Sequence, residues 1–255
     1  MPLTLTPLPG IPLIAPGDDL VQIIQESLPR LGLSLQEGDI LVLAQKIVSK
    51  AQGRLVDLTT VETSQEALRL ADQIDKDPRI LELVLRESKE VLRTRPGTII
   101  VEHRLGFVCA NAGIDHSNVA GDAAGGEEWV LLLPEDPDAA ACAIRQGLEA
   151  ASGVRLGVMI IDSHGRAWRQ GTVGVAIGLS GLPGLADLRG QVDLFGYRLR
   201  ITQVGVADEL AAAASLVMGQ AAEGTPAVHV RGFPYPLREA TLRELLRPKD
   251  QDLFR

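Results

Sequence analysis

The residues most capable of chemistry lie in Asn111-Ala112-Gly113-Ile114-Asp115-His116-Ser117-Asn118, directly after the apolar run 105–109. A buried strand over 105–109 that ends in Asn, Gly, Asp, Ser and Asn presents carboxylate, amide and hydroxyl oxygens at one rim. Hard cations, and phosphates bound through them, need groups of that kind. A second segment has the same form: Val158-Met159-Ile160-Ile161 runs into Asp162-Ser163-His164-Gly165-Arg166. Two strand ends, each with an aspartate, suggest a divalent-metal phosphate site. Each aspartate also has an ordinary reading, because Asp after a strand commonly caps a helix or shapes a turn. His116 and His164 flank the aspartates and read as polar rim, since hard cations prefer oxygen ligands. Lys50 is either a solvated side chain or a point charge for phosphate. Arg166 and Arg169 either pair with acids or clamp a carboxylate or phosphate. Gly219-Gln220 reads first as a helix stop.

Other chemistries lack their residues. There is no GxxxxGK[ST], no GxGxxG after a first strand and no GxSxG elbow. The five glycines between 171 and 184 match neither phosphate-loop pattern and point to tight turns and close backbone packing. Cys109 and Cys142 sit in apolar segments with no CxxC or Cys/His cluster, so they read as reduced core thiols.

The elements that must position these groups alternate irregularly between α and β. Gly17-Asp18-Asp19 starts a helix on which Leu20, Ile23, Ile24 and Leu28 share a face. Strands are expected over 39–44, 98–101, 105–110, 129–133 and 227–230. Helices are expected over 64–75, 78–88 (Pro78 in its first turn), 137–151 and 207–218. Asp138 lies where a helix dipole favours it. Residues 121–126, Gly-Asp-Ala-Ala-Gly-Gly, are the best candidate for a mobile loop.

Composition narrows the partners. With 45% apolar and 23% charged residues, the 255-residue chain has room for a sizeable core in one domain or two intimate lobes. A net charge of −8 and only 3% aromatic residues argue against a nucleic-acid or anionic-membrane partner. One small polyphosphate remains compatible, since metal ions neutralise it locally. The 20 arginines against 5 lysines read as compositional bias. The N-terminal stretch lacks a basic region and is broken by Pro2, Pro7, Pro9 and Pro12, unlike a signal peptide. With no apolar run near membrane-spanning length, the expected location is the cytoplasm.

Taken together, these segments resemble the coenzyme F420-0 gamma-glutamyl ligase family over most of the chain, roughly residues 8–232. The likeness rests on Pro9-Gly10-Ile11-Pro12-Leu13-Ile14, Gly38-Asp39-Ile40-Leu41-Val42, Ser49-Lys50-Ala51-Gln52-Gly53 and the Asn111 to Asn118 run. It continues through Leu132-Leu133-Pro134-Glu135-Asp136-Pro137-Asp138, Asp162-Ser163-His164-Gly165-Arg166, Ala207-Asp208-Glu209-Leu210, Met218-Gly219-Gln220 and Val230-Arg231-Gly232.

The resemblance implies a GTP-dependent ligase that adds L-glutamate to the terminal carboxylate of a deazaflavin, with further gamma-linked glutamates open. It implies GTP as co-substrate, two Mn²⁺ or Mg²⁺ ions per site, and K⁺. Metal positions would be Asp115, Asp162, Ser163 and Gln220, with serine where relatives often carry threonine. GTP would lie against Ile11, Pro12, Leu13, Ile14, Gln45, Lys46, Lys50, Asn118, Met218, Gly219, Gln220, Ala221, Ala222, Glu223, Gly224 and Thr225. Lys50 would neutralise phosphate and Arg166 would orient a carboxylate or phosphate. The implied fold is α+β, with mixed, largely antiparallel sheets, flanking helices, two intimate lobes and an intertwined homodimer. Residues 1–255 would form one ligase domain, without the flavin-binding nitroreductase-like domain that follows it in some relatives. A metal-dependent phosphatase and a non-catalytic GTP-binding protein are the alternatives from other classes. The number of glutamates, the metal used, the acceptor's lactyl or glyceryl arm and the base for the glutamate amine are not legible in the sequence.

Overall fold

The computed structural model describes residues 2–119 and 128–253; the loop expected over 121–126 lies outside them. Its centre is a five-stranded sheet in the order β1 (Thr4–Pro7), β12 (Ala227–Arg231), β2 (Ile40–Ala44), β8 (Gly157–Arg166) and β9 (Arg169–Ser180). Only the β2–β8 pair is parallel among the described pairings, so the sheets are mixed and largely antiparallel, as expected.

Both faces of this sheet are covered, which explains the uninterrupted apolar run of β2. Leu41, Leu43, Val158, Ile160 and Ile177 pack on one face with α1 (Leu20–Ser27) and α5 (Pro137–Ser152), through Ile24, Ile144 and Leu148. Ile40, Val42, Met159, Ile161 and Val228 pack on the other with α6 (Val206–Met218), through Ala207, Leu210, Ala211 and Ala214. Small side chains let the helices approach closely. A Cβ on Gly174 would meet Ala211 O at 2.6 Å, and one on Gly178 would meet the Pro137 carbonyl carbon at 2.5 Å. The glycine-rich stretch therefore serves close packing.

A second layer holds β4 (Ser88–Arg95), β5 (Thr98–His103) and β6 (Val108–Ala110). It packs on α3 (Gln65–Ile74) and α4 (Pro78–Arg86) through Leu70, Ile74, Leu81, Val84, Ile99 and Val101. Two ribbons complete the fold: β3 (Leu55–Asp57) with β7 (Trp129–Leu131), and β10 (Ala186–Asp187) with β11 (Gln203–Val204). α2 (Gln45–Ala51) leaves the end of β2 without a loop.

Local signals start the helices where expected. The Asp19 carboxylate accepts from Val21 N and Gln22 N, Ser64 Oγ from Ala67 N, and the Asp136 carboxylate from Ala139 N. Asp138 does not cap its own helix; it accepts from Leu179 N and Leu242 N, tying α5 to β9 and the C-terminal segment.

Four expectations are corrected. The strand expected over 105–109 is shorter, because Gly106 turns the chain with φ +101°; Val108–Ala110 remains, and of its three residues only Cys109 is buried. The strand expected over 129–133 ends at Leu131, after which Leu132 N turns to Arg54 O. The helix expected to reach 88 stops at Arg86, and Ser88 begins β4, a strand the sequence hid behind charged residues on a mostly exposed edge. Asp162 does not end a strand; β8 runs four residues past it and pairs with β9.

At the far end of β2, Asp39 is 1% exposed and fully engaged. It accepts from Arg231 Nε and Nη2 at 2.8 and 2.6 Å, His229 Nε2 at 2.8 Å and Gln36 N at 2.9 Å.

Candidate functional site

The parallel register of β2 and β8 builds the site. Ala44 pairs with Ile161, so the first turn of α2, Gln45 and Lys46, opens beside Asp162. Asp115 arrives on a different segment, fixed by reciprocal backbone bonds with Leu131 at 3.0 and 2.9 Å. Its Oδ2 accepts from Gln45 Nε2 at 2.6 Å and Lys46 Nζ at 2.5 Å. Ser49 Oγ donates to Gln45 Oε1 at 2.9 Å, holding the amide with its nitrogen toward the aspartate.

Before Asp115 the chain makes a left-handed turn, with φ of +53° at Asn111, +52° at Ala112 and +66° at Gly113. Lys76 Nζ donates to Asn111 Oδ1 at 2.8 Å, and the Ala112 side chain is buried. Non-glycine residues in that region carry strain, of order 1–3 kcal/mol each.

Around β8 the site has two pairs of oxygen donors. Asp162 and Asp115 interact electrostatically. Ser163 Oγ donates to Gln220 Oε1 at 2.9 Å, and Gln220 Nε2 donates to Ser215 Oγ at 2.8 Å. Strand alternation sends Ser163 to the opposite face of β8 from Asp162 and His164. The segment after α6 is internally braced. Gly219 leaves the helix at φ +78°, Thr225 Oγ1 donates to Met218 O, and Ala221 N donates to the Glu223 carboxylate. Asn118 Nδ2 donates to Ala221 O at 3.0 Å, linking the Asp115 segment to that loop.

Burial pushes the Asp115 carboxyl up, and the Asp162 charge adds to this against the pull of Lys46. Burial works on Asp162 too, but there the His164 hydrogen bond wins and the carboxyl is held down. Lys50, half-buried in the last turn of α2, has its ammonium disfavoured by burial and by Lys46. An ammonium in that position gains most from an anionic partner. Burial, with the Asp162 charge, raises the Cys109 thiol to about 12, so it is an inert core group.

Four of the expected segments are therefore linked in pairs: α2 with Asp115, Asp115 with Asp162, Ser163 with Gln220 and Asn118 with Ala221; two groups stand apart. Arg166 is exposed beside the hairpin turn, and its described bond goes to Gln170 O at 3.4 Å. Of Ile11, Pro12, Leu13 and Ile14, Ile14 is buried in the same cluster as Ile47 and Val48, whereas Leu13 is 90% exposed. Ala222 and Gly224 lie exposed in the braced loop. Sequence reading misplaced His164 as rim: its side chain is 10% exposed and its Nε2 lies 3.0 Å from Asp162 Oδ2. The i, i+2 spacing on a strand was the available signal. His116 is exposed.

Among the described residues no group of three or more His, Cys, Asp and Glu gathers as a metal cluster. The described donors are the Asp115 and Asp162 carboxylates and, on the other face of β8, the Ser163 hydroxyl paired with the Gln220 amide oxygen, all oxygen donors of the kind that suits Mg²⁺ or Mn²⁺ rather than Zn²⁺.

This fold and site define a class: an α+β protein whose central sheet carries oxygen donors and ammonium groups around the ends of β2 and β8. The family model described as F420-0:Gamma-glutamyl ligase matches residues 10–232, and the chain belongs to that family. It is 47% identical over 257 residues to the coenzyme F420:L-glutamate ligase of Methanothermobacter thermautotrophicus, covering 100% of both chains. The enzyme of the same name from Methanopyrus kandleri is also 47% identical, over 99% of this chain and 98% of its own. That of Archaeoglobus fulgidus is 41% identical over 98% and 95%.

Proposed function

We propose that this chain is a GTP-dependent ligase that joins L-glutamate to the terminal carboxylate of the deazaflavin coenzyme F420-0. The observation that supports this best is the ligase-family match along residues 10–232, in a chain where Lys46 pairs with Asp115, Asp162 interacts with that carboxylate and Ser163 pairs with Gln220.

A carboxylate does not condense with an amine in water until one of its oxygens becomes a leaving group. In the proposed reaction the acceptor carboxylate attacks the GTP γ-phosphorus, GDP departs, and an acyl phosphate forms. The amine of L-glutamate then attacks the acyl carbon, phosphate leaves, and the amide bond is made. Phosphoryl transfer of this kind asks for positioning and charge neutralisation more than for covalent help.

Asp115 and Asp162, with Ser163 and Gln220, would hold two divalent ions. Bound there, Mg²⁺ or Mn²⁺ supplies neutralisation of phosphate charge, with K⁺ assisting. Gln45 and Lys46 orient the Asp115 carboxylate. Lys50 supplies a cation whose desolvation is offset once phosphate arrives. The segments around Ile11–Ile14, Asn118 and 218–225 would hold the nucleotide, and Arg166 would orient the acceptor carboxylate or a phosphate.

Mass spectrometry of F420-0 incubated with protein, GTP, Mn²⁺ and L-glutamate tests the reading. The expected product is heavier by one or more glutamyl units and is absent without GTP; GTP hydrolysis with no mass gain moves the assignment to a phosphatase.

The working protein is proposed to be a cytoplasmic homodimer. Among the described residues no helix is long and apolar enough to cross a membrane. The segment 188–202, beyond the short β10–β11 ribbon, exposes Leu194 at 98%, Phe195 at 95% and Ile201 at 87%. Exposed apolar side chains gathered in one segment suit a surface that a partner covers. Phe195→Asp is expected to turn a dimer into a monomer by light scattering, and an unchanged dimer mass removes this segment from the interface.

A further inference from the structure

His164 lies outside the set of residues so far given a role. It projects from β8 on the same face as Asp162, two residues away, and Nε2 is 3.0 Å from Asp162 Oδ2. Both side chains are about nine-tenths buried, at 10% and 12% exposure, so water competes little for either partner. The imidazole is held on its far side as well. Phe107 packs against it with ring centroids 5.2 Å apart and an interplanar angle of 47°. Phe107 in turn stacks on His103 at 5.1 Å and 7°. His103 is fully buried, accepts from Leu105 N at its Nδ1 and faces Glu87 with its Nε2. A column of three rings thus runs from the second sheet layer to the Asp162 carboxylate.

We propose that His164 is a positioning residue for Asp162. Its Nε2–H takes one carboxylate oxygen, so the carboxylate cannot rotate and the other oxygen is kept for the cation. The proposal rests on Asp162 being a metal ligand. Carboxylates that ligate metals are commonly held by a second hydrogen bond, and loss of such a partner lowers metal affinity about 10–100-fold. The arrangement has a specific need here. Asp162 faces the like charge of Asp115, and Asp115 already has the Gln45 and Lys46 side chains as donors, while Asp162 has His164 as its side-chain donor beside the backbone N–H of Ser163. Without the imidazole, Asp162 keeps only the local Ser163 backbone bond and is the carboxylate freer to turn away.

The test measures Mn²⁺ binding to the purified protein by electron paramagnetic resonance, alongside turnover as a function of Mn²⁺ and GTP. His164→Ala is expected to weaken Mn²⁺ about 10-fold or more while the KM for GTP at saturating Mn²⁺ stays within about two-fold. His164→Gln, whose amide nitrogen can occupy the Nε2 position, is expected to recover most of the loss with no change in that KM. Mn²⁺ affinity within about two-fold of wild type in His164→Ala overturns the proposal. So does a Gln variant as weak as the Ala variant, because the ring column alone would then explain the loss. Asp162→Ala is measured in parallel. If that variant keeps wild-type Mn²⁺ affinity, the metal-ligand reading of Asp162 itself fails, independently of the histidine. Thermal melting of all three variants separates an unfolded protein from a folded one with an altered site.

Discussion

Replacing Asp115 by asparagine is expected to lower kcat/KM for glutamyl transfer by at least about 100-fold, with little loss of thermal stability. The magnitude follows the cost of removing one preorganised electrostatic partner of a reacting group, about 10²–10³-fold. The substitution keeps the side chain's size and the backbone pairing with Leu131, so the strained turn before it is undisturbed. It changes the charge and the acceptor. Lys46 Nζ, now at 2.5 Å from Oδ2, loses its ion pair, and the Gln45 amide loses an ionised partner. On the proposed metal-holding role the oxygen-donor set also drops from two carboxylates to one, and the Mn²⁺ concentration for half-maximal rate is expected to rise. Near-wild-type turnover at saturating Mn²⁺ would remove Asp115 from the machinery and leave it as a structural partner of Lys46.

The second large effect is on folding. Asp39→Ala is expected to cost about 3–5 kcal/mol, because removing one partner of a buried ion pair strands the other. Arg231 would lose both its contacts to the carboxylate, and His229, 2% exposed, would lose its acceptor. For a chain of this size that corresponds to a fall in Tm of about 6–20 °C.

The effect carries a pH signature. Burial works to raise the Asp39 carboxyl, but the hydrogen bonds from Arg231, His229 and Gln36 outweigh it and hold it down to about 2, against 3.8 when unfolded. A folded-state value below the unfolded one means stability that is fully present above the unfolded value. That contribution, roughly 2 kcal/mol, is lost as pH falls from 3.8 toward 2. The difference in urea unfolding between wild type and Asp39→Ala should therefore be full at pH 7 and narrow by roughly 2 kcal/mol as pH falls from 3.8 toward 2. A difference under about 1 kcal/mol at pH 7 would show that the network adds little net stability, and a full-sized difference that does not narrow in acid would show that the ionisation of Asp39 does not carry it.

Much of this arrangement is legible locally. Asp19, Ser64 and Asp136 cap the helices whose apolar spacing announces them, and the runs 39–44 and 158–161 mark the two central strands. The oxygen-rich Asn111 to Asn118 and Asp162 to Arg166 segments stand out because hard-donor residues follow apolar runs. β4 is harder to see. Its sequence, Ser-Lys-Glu-Val-Leu-Arg-Thr-Arg, lies mostly exposed at a sheet edge, so no buried face imposes an apolar alternation. His164 was legible as a residue and illegible as a partner, since the ring packed against the imidazole is Phe107, which precedes β6 far away in the sequence.

By itself, then, the sequence determined which side chains are available for chemistry, where helices and central strands begin, and that no phosphate-loop or Rossmann signature is present. Tertiary structure alone decided which of those side chains meet. Lys46 reaches Asp115 across 69 positions, Ser163 reaches Gln220 across 57, and Arg231 reaches Asp39 across 192. Such pairs depend on strand register and on which face a helix turns to its sheet. Hydrophobic periodicity specifies that a face is buried but not what lies opposite it, and the polar partners at a sheet's end inherit their positions from the packing of the apolar residues beneath them.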